Sequence, residues 1–174
     1  MNDVYVRGRY RLFTIIPTVQ ATPDYATGDV LFAPTEISGL FSDPGTACIL
    51  KSLTIIDKQV VSTHDFTLYF TYSSTAFGLI NATADVAVGT LEEIQATIPI
   101  VAGDWISGGG AGSVDLANVC TITDPSVDGI GAVLQGSNWA GTNTSRSLHV
   151  VGIAGETMNI ASTSDLVIKI GVEY

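Results

Sequence analysis

The sequence is poor in positive charge, in charged residues generally and in long apolar runs. Of its 174 residues 14% are charged, and 7 Lys and Arg stand against 17 Asp and Glu, which gives a formal net charge of -10. Because such a body repels phosphate groups, we expect no nucleic-acid partner. Apolar runs such as 98–102 are far shorter than the ~20 residues of a membrane-spanning helix, so we expect no membrane partner.

Cysteine and histidine are equally scarce, with 2 of each. Cys48 and Cys120 lie in apolar, strand-like sequence without a His or Cys at metal-ligand spacing. We therefore expect buried free thiols, with a disulfide as the alternative in an oxidising medium. His64 and His149 are the only imidazoles that can act as a base, and both lie in strand-like sequence, which favours structural roles.

Sequence signatures of catalysis and of cofactor binding are also missing. The chain contains no Gly-x-Ser-x-Gly elbow for a nucleophile. The glycine-rich segment 108–113 predicts a flexible loop, because it lacks the lysine and the helix start of a phosphate-binding loop. Asp115, Asp124 and Asp128 do not have the spacing of an EF-hand. We predict that the protein is not an enzyme and has no catalytic residues, no metal and no cofactor.

The pattern that is present is an alternation of period two. It is clearest in 166–174, where the even-numbered residues from Leu166 to Tyr174 are apolar and fall on one side of a strand. Only 84–95 hints at a helix, as a single turn around 90–93. Short strands between Gly- and Pro-containing turns predict an all-β fold, a single-domain, jelly-roll-like antiparallel β-sandwich. Further strands are predicted at 9–19, 29–33, 47–57, 66–72, 95–107, 114–123, 130–135 and 147–153.

Positive charge is concentrated at the start of the chain. Arg7, Arg9 and Arg11 fall within the first 11 residues, and four basic residues remain for the rest. We predict a basic arm or first strand over 1–12, able to hold an acidic partner, followed by a sandwich domain over 13–174. The alternation also fits a second interpretation, in which the arginines line the solvent-exposed face of the first strand.

The segment 136–145 is a second candidate surface, because small polar residues there surround a single aromatic. Long loops on a rigid sandwich are common positions for partner contacts. Trp139, Asn138 and Asn143 are therefore candidate partner-binding residues, since an indole stacks on a sugar ring or on a neighbouring subunit. Packing of Trp139 back on its own domain is the alternative.

Four short segments occur in a characteristic order: Tyr25-Ala-Thr-Gly-Asp-Val, residues 50–58, Asp65-Phe-Thr-Leu-Tyr-Phe and residues 164–172. Together they resemble a widespread group of small structural proteins encoded among the head genes of tailed bacteriophages, several of which are capsid decoration (cement) proteins. The resemblance covers about residues 20–174. It implies a jelly-roll-type fold and a non-enzymatic, multi-copy component of the virion. The chain departs from the usual pattern after Trp105, where 108–128 is longer and richer in glycine.

The leading hypothesis is thus a capsid decoration protein on the outer surface of the virion, made in the cytoplasm of a host bacterium, that bridges neighbouring capsomers. Its expected partners are the major capsid protein and further copies of itself, as a dimer or trimer. Two alternatives stay open. One is a glycan-binding β-sandwich module of a phage fibre or spike, and the other is a head-closure or tail component.

Overall fold

Strands form where β-branched and aromatic residues alternate with polar ones, since such side chains suit a pleated surface. The computed structural model describes residues 9–58, 64–107, 118–122, 130–160 and 162–174. This part of the chain contains one helical turn, α1 (Val88–Leu91), and a 3-10 turn at Ala102–Asp104. Its ten strands are β1 (Tyr10–Ile15), β2 (Val30–Ile37), β3 (Ala47–Asp57), β4 (Phe66–Thr71), β5 (Ile94–Ile100), β6 (Trp105–Ser107), β7 (Asn118–Ile122), β8 (Val133–Gln135), β9 (Leu148–Ala154) and β10 (Leu166–Glu173).

The strands pair in a nested order, in which early strands of the chain pair with late ones. β1 pairs with β10, β2 with β9, β3 with β8 and β4 with β5, all antiparallel. Further pairing gives a six-stranded sheet of order β1-β10-β3-β7-β6, with β8 also on β3, and a four-stranded sheet of order β2-β9-β4-β5. This nested pairing in two sheets is jelly-roll connectivity. It confirms the predicted all-β, jelly-roll-like antiparallel sandwich.

The core lies between the two sheets and is built from the inward-facing residues of each strand. In β10 the predicted apolar face is confirmed, because Leu166, Ile168, Ile170 and Val172 are all buried. Other strands of both sheets complete this core. Their buried residues include Leu50, Leu53 and Ile55 of β3, Phe66, Leu68 and Phe70 of β4, and Leu148 and Val150 of β9.

Both cysteines belong to this core as free, buried thiols, which confirms the prediction made for them. Cys48 lies on β3 and Cys120 on β7. Burial raises the pKa of each thiol to about 12, and for Cys120 the nearby charge of Asp104 acts in the same direction. The thiolate is therefore disfavoured inside the sandwich.

The strand predicted over 95–107 is two strands, because the chain changes sheets within it. β5 belongs to the four-stranded sheet and β6 to the six-stranded sheet. The 3-10 turn between them is held by side chains that satisfy its backbone: the Val101 amide donates to Asp104 Oδ2 at 3.0 Å, and the Ala102 amide donates to Asp65 Oδ1. Alternation within a strand does not reveal which sheet the strand joins.

β2 is longer than the predicted 29–33 and runs through Pro34 to Ile37. Proline lacks the amide that a central strand needs, so it is confined to edges and irregular positions. β2 is an edge strand, and its pairing with β9 shifts register between Phe32 and Thr35, around the proline. The single turn expected within 84–95 is present as α1 at 88–91.

The connection between β4 and β5, residues 72–93, folds across the outer face of the four-stranded sheet, and we call it the covering segment. Its anchor is Phe77, which is 1% exposed and packs with Val30 and Val151. Backbone hydrogen bonds join the segment to the start of β2, from the Val30 amide to the Ala82 carbonyl and from the Asn81 amide to the Val30 carbonyl. The covering segment thereby buries the part of the outer face around Val30 and Val151.

Several sequence predictions fall on residues that the structure does not describe. Arg7, the glycine-rich segment 108–113, and Asp115, Asp124 and Asp128 lie outside the described residues. The predicted strand 114–123 is described only over 118–122, where β7 is found.

Candidate functional site

The first candidate surface is the edge formed by β1, where two of the three predicted arginines are described. Within the part of the chain that the structure describes, β1 has a single neighbour in its sheet, β10. A hydrogen bond from the Tyr174 amide to the Arg9 carbonyl joins the two strands at the Arg9 end. Both Arg9 and Arg11 are exposed. The edge strand therefore carries two cations into solvent at one end of the sandwich.

Arg11 is not on the outer face of β1, where the second sequence interpretation put it. It shares its side of the strand with Phe13 and with the buried Ile15. Its guanidinium carbon lies 4.9 Å from the Phe13 ring centroid and 6.0 Å from that of Tyr174, and Nη1 donates to the Gly39 carbonyl at 3.4 Å. Arg11 thus covers the rim of the core while its charge stays in solvent.

The outer face of β1 carries apolar side chains instead. Tyr10 and Leu12 are 56% and 58% exposed, and beyond the strand Ile16 is 56% exposed. The Tyr10 hydroxyl lies 2.7 Å from Ser52 Oγ, above Gly171 of the strand between them. Tyr10 and Leu12 alternate with the arginines of this strand, so the same period-two pattern that singled out the arginines also marked these apolar residues, which were not predicted as a surface.

These residues begin a row that crosses the six-stranded sheet. Tyr10 is opposite Glu173, Glu173 is opposite Ile49, and Ile49 is opposite Val133 of β8. Ile49 and Val133 are 37% and 54% exposed. Directly opposed residues on one face lie about 5 Å apart. The outer face of this sheet therefore presents Tyr10, Leu12, Ile49 and Val133. We call these four residues the apolar row.

The charges beside the apolar row are few and nearly balanced. Lys51 Nζ lies 3.0 Å from Glu173 Oε2, and both side chains are partly exposed. Lys169 is on the same outer face of β10, opposite Thr14 and Thr54. Among the described residues, the only other carboxylate within the strands of this sheet is that of Asp57, which is 3% exposed. Counting the described strand residues alone, this face is neutral to slightly basic, whereas Glu92 and Glu93 line the depression beside Val133 at its β8 edge.

The second candidate surface is the predicted loop around Trp139, and its backbone is tightly held. The Asn138 side chain accepts a hydrogen bond from the Asn143 amide at 2.9 Å and donates to Thr142 Oγ1 at 3.0 Å. The Trp139 amide donates to Glu93 Oε2 at 3.1 Å. Both ends of the Asn138 amide are thus engaged within the loop, which is a structural role.

Two depressions flank this loop. One, of about 500 Å³, is open to solvent and is lined by Asn138, Asn143 and Glu93 together with hydroxyl groups of residues 72–75 and 90. The other, of about 170 Å³, is lined by Trp139 and Val133 and also by Glu93. The structure therefore brings the three loop residues predicted from sequence to adjacent depressions. Trp139 is 68% exposed, so its indole is presented to solvent instead of packing on its own domain.

The two histidines lie elsewhere. His64 is 4% exposed, with Nε2 3.4 Å from Asp57 Oδ2 and Nδ1 3.8 Å from Glu156 Oε1, and its carbonyl accepts the Trp105 indole N–H at 2.9 Å. This buried network joins β3, β4 and β6 at one end of the sandwich. His149 is half-buried on β9, and its Nδ1 has no hydrogen-bond partner among the described residues.

Within the described ranges, no three His, Cys, Asp or Glu side chains are grouped as metal ligands, and no helix has the length and apolar character of a membrane span.

Comparisons with known proteins give weak structural likenesses. No protein-family model matches the chain, and no curated protein matches it in sequence. One similar solved structure is a mutant VP2 protein of infectious bursal disease virus in derived T=1 particles, with a TM-score of 0.25 and 14% identity over 97% of this chain and 40% of that chain. Another is the Gx strain of infectious bursal disease virus, with a TM-score of 0.23 and 15% identity over 95% of this chain and 41% of that chain. The chain thus spans about two fifths of the length of these proteins.

Proposed function

We propose that the protein is a non-enzymatic structural component of a bacteriophage virion that binds the outer surface of the head and stabilises it by bridging capsomers. The observation that carries the proposal is the basic edge of an acidic sandwich. The first 11 residues contain three arginines and one aspartate, whereas the rest contains four basic and sixteen acidic residues. The resemblance to phage decoration proteins supports the same assignment.

The basic edge is suited to an acidic protein partner, which we take to be the major capsid protein. Arg9 is exposed just before the edge strand β1, so it reaches a neighbouring surface without displacing the core, whereas Arg11 covers the rim of the core and exposes its charge beside it. Arginine binds carboxylates in a planar, bidentate geometry. A decoration protein can use such modest contacts because copies bound on one lattice, or contacts linked within one molecule, raise the effective concentration.

The direct test adds the purified protein to undecorated heads and images them by electron cryomicroscopy. We expect regular additional density on the outer surface, and Arg9→Glu should lower its occupancy because it replaces attraction by repulsion. Lys58→Glu is the matched control. It makes the same charge change just after β3, at the opposite end of the six-stranded sheet from Arg9. Absence of ordered density at saturating protein and low salt would refute head decoration.

Copy number separates decoration from a head-closure or tail role. Hundreds of copies over the head favour decoration, whereas six or twelve copies at one vertex would place the protein at the portal axis. The same images give both results, so a vertex position would replace the proposal by the alternative.

A second candidate function is saccharide binding, favoured by the exposed Trp139 beside a depression lined with amide, hydroxyl and carboxylate groups. Sugars bind through an apolar face on an aromatic ring and through hydrogen bonds from their hydroxyls. A glycan array probed with the protein tests this function. Trp139→Ala should abolish any signal, and Leu79→Ala, which alters another apolar residue that is more than half exposed, on the covering segment, should not.

A further inference from the structure

The apolar row on the six-stranded sheet is an unusual surface for a protein of this charge. Its members come from three strands, β1, β3 and β8, and Tyr10, Leu12 and Val133 are each more than half exposed. Large apolar side chains grouped on one face are characteristic of surfaces that another molecule covers. We propose that the apolar row is a dimer interface between two copies of this chain.

Charge selects the second copy as the occupant. Each chain carries a net charge of -10, so two copies repel each other in most orientations. They approach at least cost through the face with the least negative charge. Among the described residues, the six-stranded sheet has one solvent-exposed carboxylate within its strands, Glu173, against the exposed Lys51 and the half-buried Lys169.

The charged residues of this face can also pair between two copies. In a twofold contact the same face of each copy meets, so a lysine of one copy approaches the surface that carries Glu173 of the other. Glu173 is 3.0 Å from Lys51 within one chain. Lys169 lies on the same strand as Glu173, four residues away, and can pair with the Glu173 carboxylate of the second copy. Because Glu173 lies within the row, between Tyr10 and Ile49, this pairing neutralises the carboxylate that the contact covers.

The inference concerns how copies associate and is independent of head binding. Sedimentation velocity of the full chain, over a range of concentrations from about 1 to 200 µM, measures it. We expect a species of twice the chain mass at the upper concentrations. Salt should strengthen the association, because screening weakens the repulsion between two acidic chains and leaves the apolar contact intact.

Val133→Glu is the decisive variant. It places a carboxylate at the row in both copies, so the dissociation constant should rise by at least about tenfold, equivalent to ~1.4 kcal/mol. Leu79→Glu is the control, since Leu79 is 80% exposed on the covering segment and the change adds the same charge. It should leave the dissociation constant within about twofold. Thermal unfolding of both variants verifies that they are folded.

Two outcomes would overturn the proposal. One is a wild-type chain that is monomeric at every concentration and salt. The other is a dimer that Val133→Glu and Leu79→Glu weaken equally, because the association would then depend on total charge and not on this face. If Val133→Glu instead abolishes head binding by a monomeric chain, the occupant of the row is the head and not a second copy.

Discussion

The outer face of the four-stranded sheet is covered by the protein's own chain, whereas the outer face of the six-stranded sheet carries exposed apolar side chains. On the first sheet, Val151 is fully buried beneath the covering segment. On the second, Ile49 and Val133 remain in solvent among the described residues. Both sheets thus have apolar residues on their outer faces, and they differ in whether the chain itself supplies the cover.

The covered face shows what an apolar outer surface needs. The covering segment lays Phe77 against Val30 and Val151, with the Tyr69 ring at 5.8 Å between centroids. A hydrogen bond of 2.7 Å from the Asp85 amide to the Phe77 carbonyl closes the loop around this anchor. The burial is therefore intramolecular and independent of concentration. For the apolar row, a partner molecule has to provide the equivalent burial.

We expect the largest effect on stability from removing Phe77, the side chain that anchors the covering segment. Phe77→Ala should lower the free energy of unfolding by about 3 to 5 kcal/mol, because a buried aromatic is replaced by a cavity. Urea denaturation followed by tryptophan fluorescence measures it. Leu79→Ala on the same segment should change the value by less than about 0.5 kcal/mol, since Leu79 is exposed. A loss below about 1 kcal/mol for Phe77→Ala would show that the covering segment contributes little to stability.

The inner face of the six-stranded sheet offers a second contrast, this time with its own outer face. Cys48 and Cys120 lie on the inner side, and burial raises the pKa of each thiol to about 12 from an ordinary value of 9.0. The contribution of these thiols to stability is complete below pH 9 and is lost as the pH rises toward 12. Each should lower the free energy of unfolding by about 1 kcal/mol per pH unit in that window.

Native thiol reactivity tests the same burial directly. At pH 8 a thiol reagent should modify neither cysteine until the protein unfolds, because the thiolate is the reactive form. A Cys48→Ala, Cys120→Ala double variant should show a flatter loss of stability above pH 9 than the parent chain. Rapid modification of the folded protein would contradict the burial of these residues.

Much of the fold could be predicted because alternation records which side of a strand is buried. The even-numbered residues of β10 point into the core as expected, and the strand over 47–57 has the predicted bounds. The crossing between β5 and β6 could not be predicted, since both strands are apolar and a change of sheet leaves no periodic signal. The predicted β2 ended at residue 33, before Pro34. Sequence alone does not reveal that the strand lies at an edge, where a proline is tolerated.

The candidate surfaces were only partly predictable, for a related reason. Alternation places Arg11 and Leu12 on opposite sides of β1, but it does not say which side faces the core at the end of a strand. In the structure Phe13 and Ile15 face the core, and Arg11 lies on the same side of the strand. The apolar row depends on which strands become neighbours, and this order is set by pairing between β1, β10, β3 and β8, which are far apart in the sequence.

The smallest expected effect compares a hydroxyl on the exposed face with one in the core. Tyr10→Phe removes the hydrogen bond between the Tyr10 hydroxyl and Ser52, 2.7 Å long, on a surface where water replaces the lost partner. It should lower the free energy of unfolding by less than about 0.5 kcal/mol. Tyr25→Phe is the matched change inside the protein, where the Tyr25 hydroxyl donates to the Leu31 carbonyl at 3.0 Å and the side chain is 0% exposed. It should cost about 1 to 3 kcal/mol, since buried groups are left unpaired. Equal losses in the two variants, measured by urea denaturation at low protein concentration, would mean that the outer face of β1 is already shielded from water within a single chain.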